Sequence, residues 1–313
     1  MNDILTIGSA TLDIFAFKQT LNDFQPNFKV DLDKLDIFLG GGAVNTALGF
    51  RKIGFKTATY IQVGRDLIGD FILKELKKKK IKVYFDRSRK TTAISFILRV
   101  SSKDDYPFVW RGASSVLEFK DVKKIKKIKT KSLYLGPSLT KVLILKSIVQ
   151  HFKKQNVPII WNPSFYHASL GISQLKSILQ NVNILILNKK ECQSLTEKED
   201  LKESLKVLKD AGPEIVVVTL EKEGSLCMFR DLVLKADIFP ERQIVDRTGA
   251  GDAFAVGFTS AILLGKDIKK ALVWGSANAT SIIESLGANT SHLSKKDYNK
   301  LRWQKLTIRE WKI

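Results

Sequence analysis

Two glycines followed by an acid and an apolar stretch form the part of the sequence with the clearest chemical potential. The segment comprises residues 245–254 and reads VDRTGAGDAF. Glycine lets a backbone turn tightly and aim several N–H groups at one point, and the amino end of a helix favours an anion. A carboxylate beside such a site, here Asp252, suits a base that deprotonates a hydroxyl for attack on a phosphoryl group. A plain glycine turn ahead of a helix acid explains the same local pattern, so both interpretations stay open.

A second glycine-rich segment, residues 38–47 with the sequence FLGGGAVNTA, also leads from a strand-like stretch into a helix. Its glycines would let the backbone approach a ligand closely, and the amide of Asn45 can both donate and accept hydrogen bonds. A tight strand-to-helix turn accounts for the glycines equally well.

Asn188 and Glu191 lie three residues apart, directly after the apolar run 184–187. Polar side chains at the carboxyl end of a buried strand lie where the sites of α/β proteins gather, and their oxygen atoms suit Mg²⁺. The same spacing is typical of a helix start, with Asn188 as the N-cap and Glu191 at the third position. The two interpretations are compatible.

Together these segments resemble the signature regions of the ribokinase family of carbohydrate and nucleoside kinases, also called the phosphofructokinase-B family. The similarity extends over nearly the whole chain and includes Asp13 near the first strand, Thr219 before the last third and Asn278 near the end. It implies one α/β kinase domain over residues 1–313, with a ribokinase-like three-layer α/β/α core, a mainly parallel sheet and a small β-sheet lid. The lid is expected in segments 14–38 and 92–112.

The resemblance implies an ATP-dependent phosphotransferase in which Asp252 takes the proton of the acceptor hydroxyl. The backbone N–H groups of Gly249, Ala250 and Gly251 would hold the negative charge that develops on the transferred phosphoryl group. A base and an anion hole are what the protein must supply for this reaction, because phosphoryl transfer depends mostly on positioning and charge stabilisation.

The resemblance also implies a set of residues on the ATP side, which organise Mg²⁺ through water or contact the nucleotide: Asn188, Glu191, Thr219, Gly224 and Asn278. A polar residue on a packed helix is an equally good interpretation of Asn278. The usual glycine after Thr-Leu is Glu221 here. This departure places a carboxylate near the expected phosphates.

On the acceptor side, the resemblance implies that Asp13, Gly40, Gly41 and Asn45 grip hydroxyl groups of the substrate. Asp246 matches a ligand of a monovalent cation, which adds K⁺ as an optional cofactor beside ATP and Mg²⁺. The residue after it is an arginine where a threonine is frequent.

The identity of the acceptor is less determined by the sequence. Gly42 stands where ribokinases proper carry a lysine, and Arg111 lies in a stretch, WRGAS, that is similar to one in keto-deoxy-gluconate kinases. A guanidinium there can pair with a carboxylate or a phosphate, or Arg111 can be a solvated lid residue. Four aromatic residues could stack on a nucleobase or form the core of the lid: Phe15, Phe17, Phe108 and Trp110.

The elements that must position these residues follow from the hydrophobic periodicity. Strands are predicted at 4–9, 58–63, 93–100, 109–113, 132–135, 157–161, 184–187, 215–219 and 225–229. Helices are predicted at 46–53, 69–80, 143–154, 173–179, 201–210, 252–264, 268–285 and 295–301. Apolar strands between amphipathic helices predict a mainly parallel sheet that is covered on both faces.

Composition narrows the class of protein. The formal net charge is +20, and lysines dominate it in the runs 77–80 and 120–131. These runs lack interleaved aromatic residues and nucleic-acid motifs, which favours a solvated surface over a nucleic-acid partner. Two cysteines argue against a disulfide framework and fit a reducing cytoplasm. Neither a signal peptide nor a membrane-spanning segment is recognisable, so we expect a cytoplasmic protein without a membrane partner.

Four functions are consistent with the sequence. The first is an ATP-dependent kinase of a sugar or sugar-like alcohol, and the second is a nucleoside kinase of the same family. A third is a non-catalytic sugar or nucleotide sensor, against which the intact Asp252, Asn188 and Glu191 count. The fourth, a nucleic-acid-binding protein, rests on charge alone. The family often forms dimers through its lid sheets, so a homodimer is a further expectation.

Overall fold

The computed structural model describes residues 1–20, 27, 29–100, 104–114 and 116–312. Its strands are β1 Ile4–Ile7, β2 Thr11–Lys18, β3 Lys34–Gly40, β4 Thr57–Gly64, β5 Lys82–Ser88, β6 Ala93–Val100, β7 Asp104–Trp110, β8 Leu133–Leu135, β9 Ile159–Trp161, β10 Ile184–Asn188, β11 Ile215–Thr219, β12 Ser225–Phe229, β13 Leu232–Ala236 and β14 Ile308–Glu310.

Helices connect and cover these strands. They are α1 Gly42–Ile53, α2 Leu67–Lys78, α3 Phe119–Ile125, α4 Val142–Lys154, α5 Phe165–Ala168, α6 Gly171–Leu179, α7 Lys189–Thr196, α8 Leu201–Ala211, α9 Ala250–Leu263 and α10 Ile268–Ile283. Among the described helices, none combines the length and the apolar character needed to cross a bilayer.

A large sheet of ten strands forms the centre of the protein, in the order β14-β13-β12-β11-β10-β9-β8-β1-β4-β5. The strands from β11 to β5 are parallel, and β12, β13 and β14 continue the sheet antiparallel at one edge. These pairings confirm the predicted mainly parallel sheet. The helices that connect parallel strands cover both faces of the sheet, so its strands are apolar on both sides.

The two faces of the large sheet pack against different helices. On β11, Val216 and Val218 face the cluster that includes residues of α4, α6, α7 and α8. Ile215 and Val217 face the opposite cluster, which is built with α1, α9 and α10. This alternation is the period-two pattern of a strand that is buried on both faces. It produces the expected three-layer α/β/α core and fixes α1 and α9 beside each other.

A small sheet of four strands, in the order β3-β2-β6-β7, forms the lid. Its central pair is parallel, with Thr11 opposite Ala93, and both outer strands pair antiparallel. These strands coincide closely with the two predicted lid segments. Residues 21–26, 28 and 101–103 of those segments lie outside the described residues.

The structure differs from the sequence expectation in several elements. The predicted helix 295–301 is wrong: two short 3₁₀ turns, Asp297–Asn299 and Leu301–Trp303, lie there instead. Lys300 between them has extended backbone angles, φ −64° and ψ 142°, which end the first turn. The strand expected at 109–113 ends at Trp110 and is followed by a 3₁₀ turn. Strands β5, β13 and β14 and helices α3 and α5 were not predicted.

Candidate active site

The amino end of α9 is built as a tight turn on Gly249. This residue has φ +80°, a left-handed conformation that glycine adopts without strain, and an added Cβ would lie 2.5 Å from the carbonyl oxygen of Ala288. The Ala253 N–H donates to the Gly249 carbonyl at 2.8 Å and starts the helix. Asp252 consequently lies in the first turn, where the positive end of the helix dipole favours a negative charge.

Three N–H groups of this turn were predicted to form an anion hole. First-turn amides have no acceptor within their own helix, which leaves them for a ligand or a local partner. The Ala250 N–H donates to the Arg247 carbonyl at 3.2 Å, so one of the three has a local partner. A Cβ added at Gly251 would meet no atom within 4 Å, so the space beside this residue is open.

The Asp252 carboxylate is half-buried, and among the described residues one side chain donates to it. The Asn45 amide nitrogen, on α1, donates to Asp252 Oδ2 at 2.9 Å. Burial is the main cause that raises the pKa of Asp252 to about 6; the bond from Asn45 opposes this rise, and the nearby Asp13 charge adds to it. A carboxyl group with a pKa near the working pH suits a general base.

Asp13 lies close to Asp252 and is buried, with 5% of its surface exposed. Thr11 Oγ1 donates to Asp13 Oδ1 at 2.7 Å, and burial raises the pKa of Asp13 to about 6. An added Cβ on Gly40 would lie 2.0 Å from Asp13 Oδ2, so this contact between β2 and β3 requires glycine. Gly41 is the N-cap of α1. Predicted acceptor ligands therefore meet at the amino end of α1.

Two residues of the loop after α10 hold Asn45 in place. The Asn289 side-chain nitrogen donates to Asn45 Oδ1 at 2.7 Å and to the Leu39 carbonyl, also at 2.7 Å. The His292 Nε2 lies 3.1 Å from the Asn45 carbonyl oxygen. Neither Asn289 nor His292 is predicted from the sequence, because no local motif marks them.

A pocket opens on the acceptor side between the lid and the core. Residues that line it include Ser9, Thr11, Arg111, Ser138, Phe165 and Tyr166. Among the described residues, no carboxylate oxygen lies within 4.0 Å of the Arg111 guanidinium, so Arg111 forms no ion pair there. Phe165 and Tyr166 are partly exposed, at 57% and 41%. Arg111, which was predicted to bind the acceptor, thus lines this pocket. Phe165 and Tyr166 also line it and were not predicted from the sequence.

The lid aromatics that were considered for stacking lie elsewhere. Phe15 is fully buried and packs edge-on against Phe38, as lid core. Val109 lines the pocket, so the alternation along β7 directs Phe108 and Trp110 to the other face of the lid. The Trp110 Nε1 donates to Thr91 Oγ1 at 2.8 Å. A stacking role for Phe15, Phe108 and Trp110 is therefore not supported by their positions, and one for Phe17 stays a prediction.

On the ATP side, Asn188 and Glu191 form a reciprocal cap at the start of α7. The Glu191 N–H donates to Asn188 Oδ1 at 2.8 Å, and the Asn188 N–H donates to Glu191 Oε2 at 2.9 Å. The capping interpretation is confirmed. Asn188 is exposed and Glu191 half-buried. Burial raises the pKa of Glu191, and the Asp252 charge adds to this effect.

The turn after β11 contains the predicted nucleotide contacts Thr219 and Gly224. Thr219 Oγ1 donates to the Leu187 carbonyl at 3.3 Å, which ties the ends of β11 and β10 together. Glu221 has φ +53°, a conformation that costs energy for a residue other than glycine. Glu221 is the residue expected as glycine from the resemblance, and it adds an exposed carboxylate to this turn.

Asn278 is completely buried inside the protein. Its side-chain nitrogen donates to the Ala253 carbonyl at 2.7 Å and lies 3.1 Å from His292 Nδ1. Its side-chain oxygen accepts from the Leu293 N–H at 2.9 Å. These bonds support the packed-helix interpretation, and an adenine contact by this side chain stays a prediction.

Asp246 is buried beside a fixed cation. Its carboxylate accepts from the N–H groups of Thr248 at 2.9 Å and Gly287 at 3.2 Å. The Arg99 Nη2 lies 3.6 Å from Asp246 Oδ1, and Arg99 Nη1 donates to the Val245 carbonyl at 2.9 Å. A buried carboxylate needs a compensating charge, and the lid supplies one here.

The remaining donors fit a hydrated Mg²⁺ ion better than a protein cage. Among the described residues, no group of three or more His, Cys, Asp or Glu side chains is arranged to hold a metal. Mg²⁺ is commonly bound through one or two carboxylates together with substrate phosphates and water. Glu191 and the exposed Asn188 offer oxygen atoms of that kind. The charges of Glu191 and Asp252 both raise the pKa of the buried Tyr134, after burial itself, so both carboxylates lie near this residue of β8.

Comparison with known proteins gives a family match and a set of relatives. The model of the pfkB family of carbohydrate kinases matches residues 1–296. An ATP-dependent 6-phosphofructokinase of Thermoanaerobacterium thermosaccharolyticum is 26% identical over 299 residues, which cover 91% of this chain and 89% of that protein. A nucleoside kinase of Methanothermobacter thermautotrophicus is 29% identical over 298 residues, 92% of each chain.

Solved structures have the same fold. The crystal structure of phosphofructokinase-2 from Escherichia coli in complex with potassium superimposes with a TM-score of 0.80. The alignment covers 96% of this chain and 98% of that one, at 20% identity. The large sheet, the helices on both faces and the separate lid sheet are therefore a ribokinase-like fold.

Proposed function

Because the chain belongs to the pfkB family of carbohydrate kinases, we propose that it transfers the γ-phosphoryl group of ATP to a hydroxyl of a sugar or sugar-like acceptor, with Asp252 as the base. One observation carries this proposal. A half-buried carboxylate stands in the first turn of a helix, beside open space and in contact with Asn45, a predicted acceptor ligand.

The proposed chemistry follows from the geometry of the base. The ionised Asp252 accepts the proton of the acceptor hydroxyl, whose oxygen then attacks the γ-phosphorus of ATP. The bond from that phosphorus to the bridging oxygen of ADP breaks as the new bond forms. Burial raises the pKa of Asp252, which makes the ionised carboxylate a stronger base.

Charge stabilisation is assigned to the amino end of α9 and to the carboxylates on the ATP side. The N–H groups of Gly249, Ala250 and Gly251 would face the transferred phosphoryl group, where the helix dipole favours negative charge. Mg²⁺ bound with ATP supplies a counter-charge for the phosphate oxygens. Glu191 and Asn188 are the residues that we propose to orient its water ligands, while Thr219 and Gly224 contact the nucleotide.

The acceptor would bind at the amino end of α1, between the lid and the core. Asp13 and Asn45 offer hydrogen-bonding groups for adjacent hydroxyls, and Gly40 and Gly41 admit the substrate to the backbone. Arg111 lines an adjacent pocket, which borders this end of α1 through Ser9, and it has no carboxylate partner among the described residues. We therefore favour an acceptor that carries a carboxylate or a phosphate away from its reacting hydroxyl.

A nucleoside is the second candidate acceptor. Phe165 and Tyr166 line the acceptor pocket and are partly exposed, so a base could stack against them. The similarity to the archaeal nucleoside kinase also favours this candidate. A nucleoside has no negative charge to pair with Arg111, which separates the two candidates experimentally.

A monovalent cation at Asp246 is a further proposal, prompted by the potassium complex of the similar Escherichia coli enzyme. Here the guanidinium of Arg99 already stands 3.6 Å from that carboxylate. We therefore expect K⁺ to activate the kinase weakly and to activate an Arg99→Met variant more strongly. Equal activation of both proteins by KCl, relative to tetramethylammonium chloride, would contradict this expectation.

Three further proposals concern organisation. We propose that residues 1–313 act as one kinase domain in the cytoplasm, which the two free and buried cysteines Cys192 and Cys227 support. We also propose a homodimer through the lid. Its outer face exposes apolar side chains, including Phe108 at 60% and Trp110 at 57%.

The deciding experiment is a coupled ADP-release assay with Mg-ATP. The acceptors are ribose, fructose, keto-deoxy-gluconate, fructose 6-phosphate, ribose 1-phosphate, adenosine, cytidine and inosine, with Asp252→Asn as the control. We expect acceptor-dependent ADP release that the control lacks. Silence with every acceptor, in a protein that binds ATP, would favour the sensor function and reject a kinase of these acceptors.

A further inference from the structure

The orientation of the Asn45 amide can be deduced from its hydrogen-bond partners. The chain of bonds begins at the main-chain carbonyl of Leu39, the second-last residue of lid strand β3, and a carbonyl oxygen can only accept. The Asn289 group that faces it at 2.7 Å must therefore be its NH₂. The second hydrogen of the same NH₂ is left for Asn45 Oδ1, also at 2.7 Å.

The orientation of Asn289 determines which group of Asn45 faces Asp252. Because Asn45 Oδ1 accepts from Asn289, the NH₂ of Asn45 points the other way, to Asp252 Oδ2 at 2.9 Å. With the amide reversed, two acceptor oxygens, one of them charged, would face each other. We propose that Asn289 is a positioning residue for the catalytic base: it holds the Asn45 amide in the orientation that donates to Asp252.

An independent set of bonds fixes the backbone of Asn45. Asn278 uses its oxygen for the Leu293 N–H, so its NH₂ faces His292 Nδ1 at 3.1 Å. That ring nitrogen accepts, which leaves the proton on Nε2 to donate to the Asn45 carbonyl at 3.1 Å. Burial lowers the pKa of His292 to about 4, and the neutral ring keeps this pattern at neutral pH. The loop after α10 thus holds Asn45 at both its backbone and its side chain.

The charges around the base determine what the positioned amide does. Asp252 is faced by Asp13 from β2, by Glu191 from α7 and by Tyr134 from β8, and no described cationic side chain is paired with it. The Asn45 NH₂ is therefore the group that favours the ionised carboxylate in a buried and negatively charged surrounding. Loss of the correct amide orientation would leave the base protonated over a wider range of pH.

The test compares isosteric variants of Asn289. Asn289→Leu removes the donor, and Asn289→Asp replaces it with acceptors that would draw the Asn45 NH₂ away from the base. We expect the acid limb of the kcat profile to move up by about one pH unit in Asn289→Leu, with a roughly fivefold loss of kcat at pH 6 and a much smaller loss at pH 8.5. The shift should be larger in Asn289→Asp. Thr290→Ala, which removes a hydrogen bond to Leu286 in the same loop, should leave the profile in place.

A second measurement does not depend on turnover. The inference rests on the proposed role of Asp252, so the titration of its carboxyl carbon is followed by NMR in ¹³C-aspartate-labelled protein, with the resonance identified by Asp252→Asn. An upward shift in Asn289→Leu supports the inference even if no acceptor has been found. An unchanged titration, or pH profiles that fall in parallel, would overturn it. Failure of the proposed function would appear instead as absent ADP release in the parent protein.

Discussion

The two halves of the candidate site are built in opposite ways. The acceptor half consists of Asp13, Asn45, Asp252 and Asn289, of which the first two are buried and the other two half-buried. The hydrogen bond between Asn45 and Asp252 joins residues 207 positions apart in the chain. The ATP half, which consists of Asn188, Glu191, Thr219 and Gly224, is more exposed, and its cap closes over three residues.

This difference indicates how each half obtains its geometry. In the acceptor half the polar groups satisfy one another within the folded core, so the base is held in position before a substrate arrives. In the ATP half the backbone is shaped locally, and the side chains keep oxygen atoms available to solvent. We infer that the protein positions the acceptor itself, while Mg-ATP contributes much of the order on its own side.

The largest expected effect comes from a substitution of Asp252, the proposed general base in the acceptor half. Asp252→Asn should lower kcat by about 10²–10⁴-fold, because a positioned general base contributes that much. The affinity for ATP, measured by calorimetry, should change little because the ATP half is intact. The matched control is Asp267→Asn, which keeps an N-cap residue at the start of α10. Near-normal turnover of Asp252→Asn would remove this residue from the role of base.

The next largest effect separates two functions of Glu191 in the ATP half, the capping of α7 and the proposed orientation of the water ligands of Mg²⁺. Glu191→Gln preserves the capping box, since glutamine serves at that position as well, but it removes the negative charge. We expect kcat/KM for Mg-ATP to fall by about 10–100-fold, as for the loss of an outer-shell metal partner, and the Tm to stay the same. A lower Tm with an unchanged Mg²⁺ requirement would restrict Glu191 to the helix cap.

A smaller effect concerns specificity in the acceptor pocket. Arg111→Met should raise KM for a negatively charged acceptor by roughly tenfold or more, because a charge-assisted pair is lost. The kcat should hold, and KM for uncharged acceptors should change little. Arg111→Lys is the matched variant that retains the charge without the forked geometry. An equal rise in KM for charged and uncharged acceptors would contradict the proposed anionic group.

The smallest expected effect is on the stability of the folded protein, and it tests how far the surroundings of Asp252 raise its pKa. The pKa of Asp252 is about 6 in the folded protein and 3.8 for the ordinary group, so the folded state binds this proton more tightly than the unfolded state. Ionisation of Asp252 therefore costs stability, and the cost develops as the pH rises from 3.8 to about 6. Asp252→Asn should unfold at a higher Tm than the parent protein at pH 7, and the difference should shrink toward pH 4. A pH-independent difference would contradict the linkage.

Locally encoded features could be predicted from the sequence. The strands Ile215–Thr219 and Ser225–Phe229 agree with their predicted bounds, because continuous apolar runs are typical of strands buried on both faces. The Asn188–Glu191 cap follows from a spacing of three residues. The turn at Gly249 is predictable for the same reason, since the chemistry of a turn lies within a few residues.

Features that depend on distant contacts could not be predicted. Asn289 carries no motif, and its role depends on partners at positions 39 and 45 that only the fold brings near. Strand β5 alternates irregularly between exposed and partly buried residues, and β14 is three residues long at the edge of the sheet, so neither has a strong pattern. The resemblance located Asp252 and Asn45 separately, whereas their direct hydrogen bond is a property of the packed α1 and α9 helices.

The parallel pairing of β2 and β6 in the lid has a consequence for the order of folding. Thr11 lies opposite Ala93, and the chain between them contains β4, α2 and β5 of the large sheet. Pairing of strands so distant in sequence carries a loop-closure cost that local helices do not carry. We therefore expect the lid to pair after the local helices have formed, so that during refolding the recovery of kinase activity lags behind the recovery of helical circular dichroism.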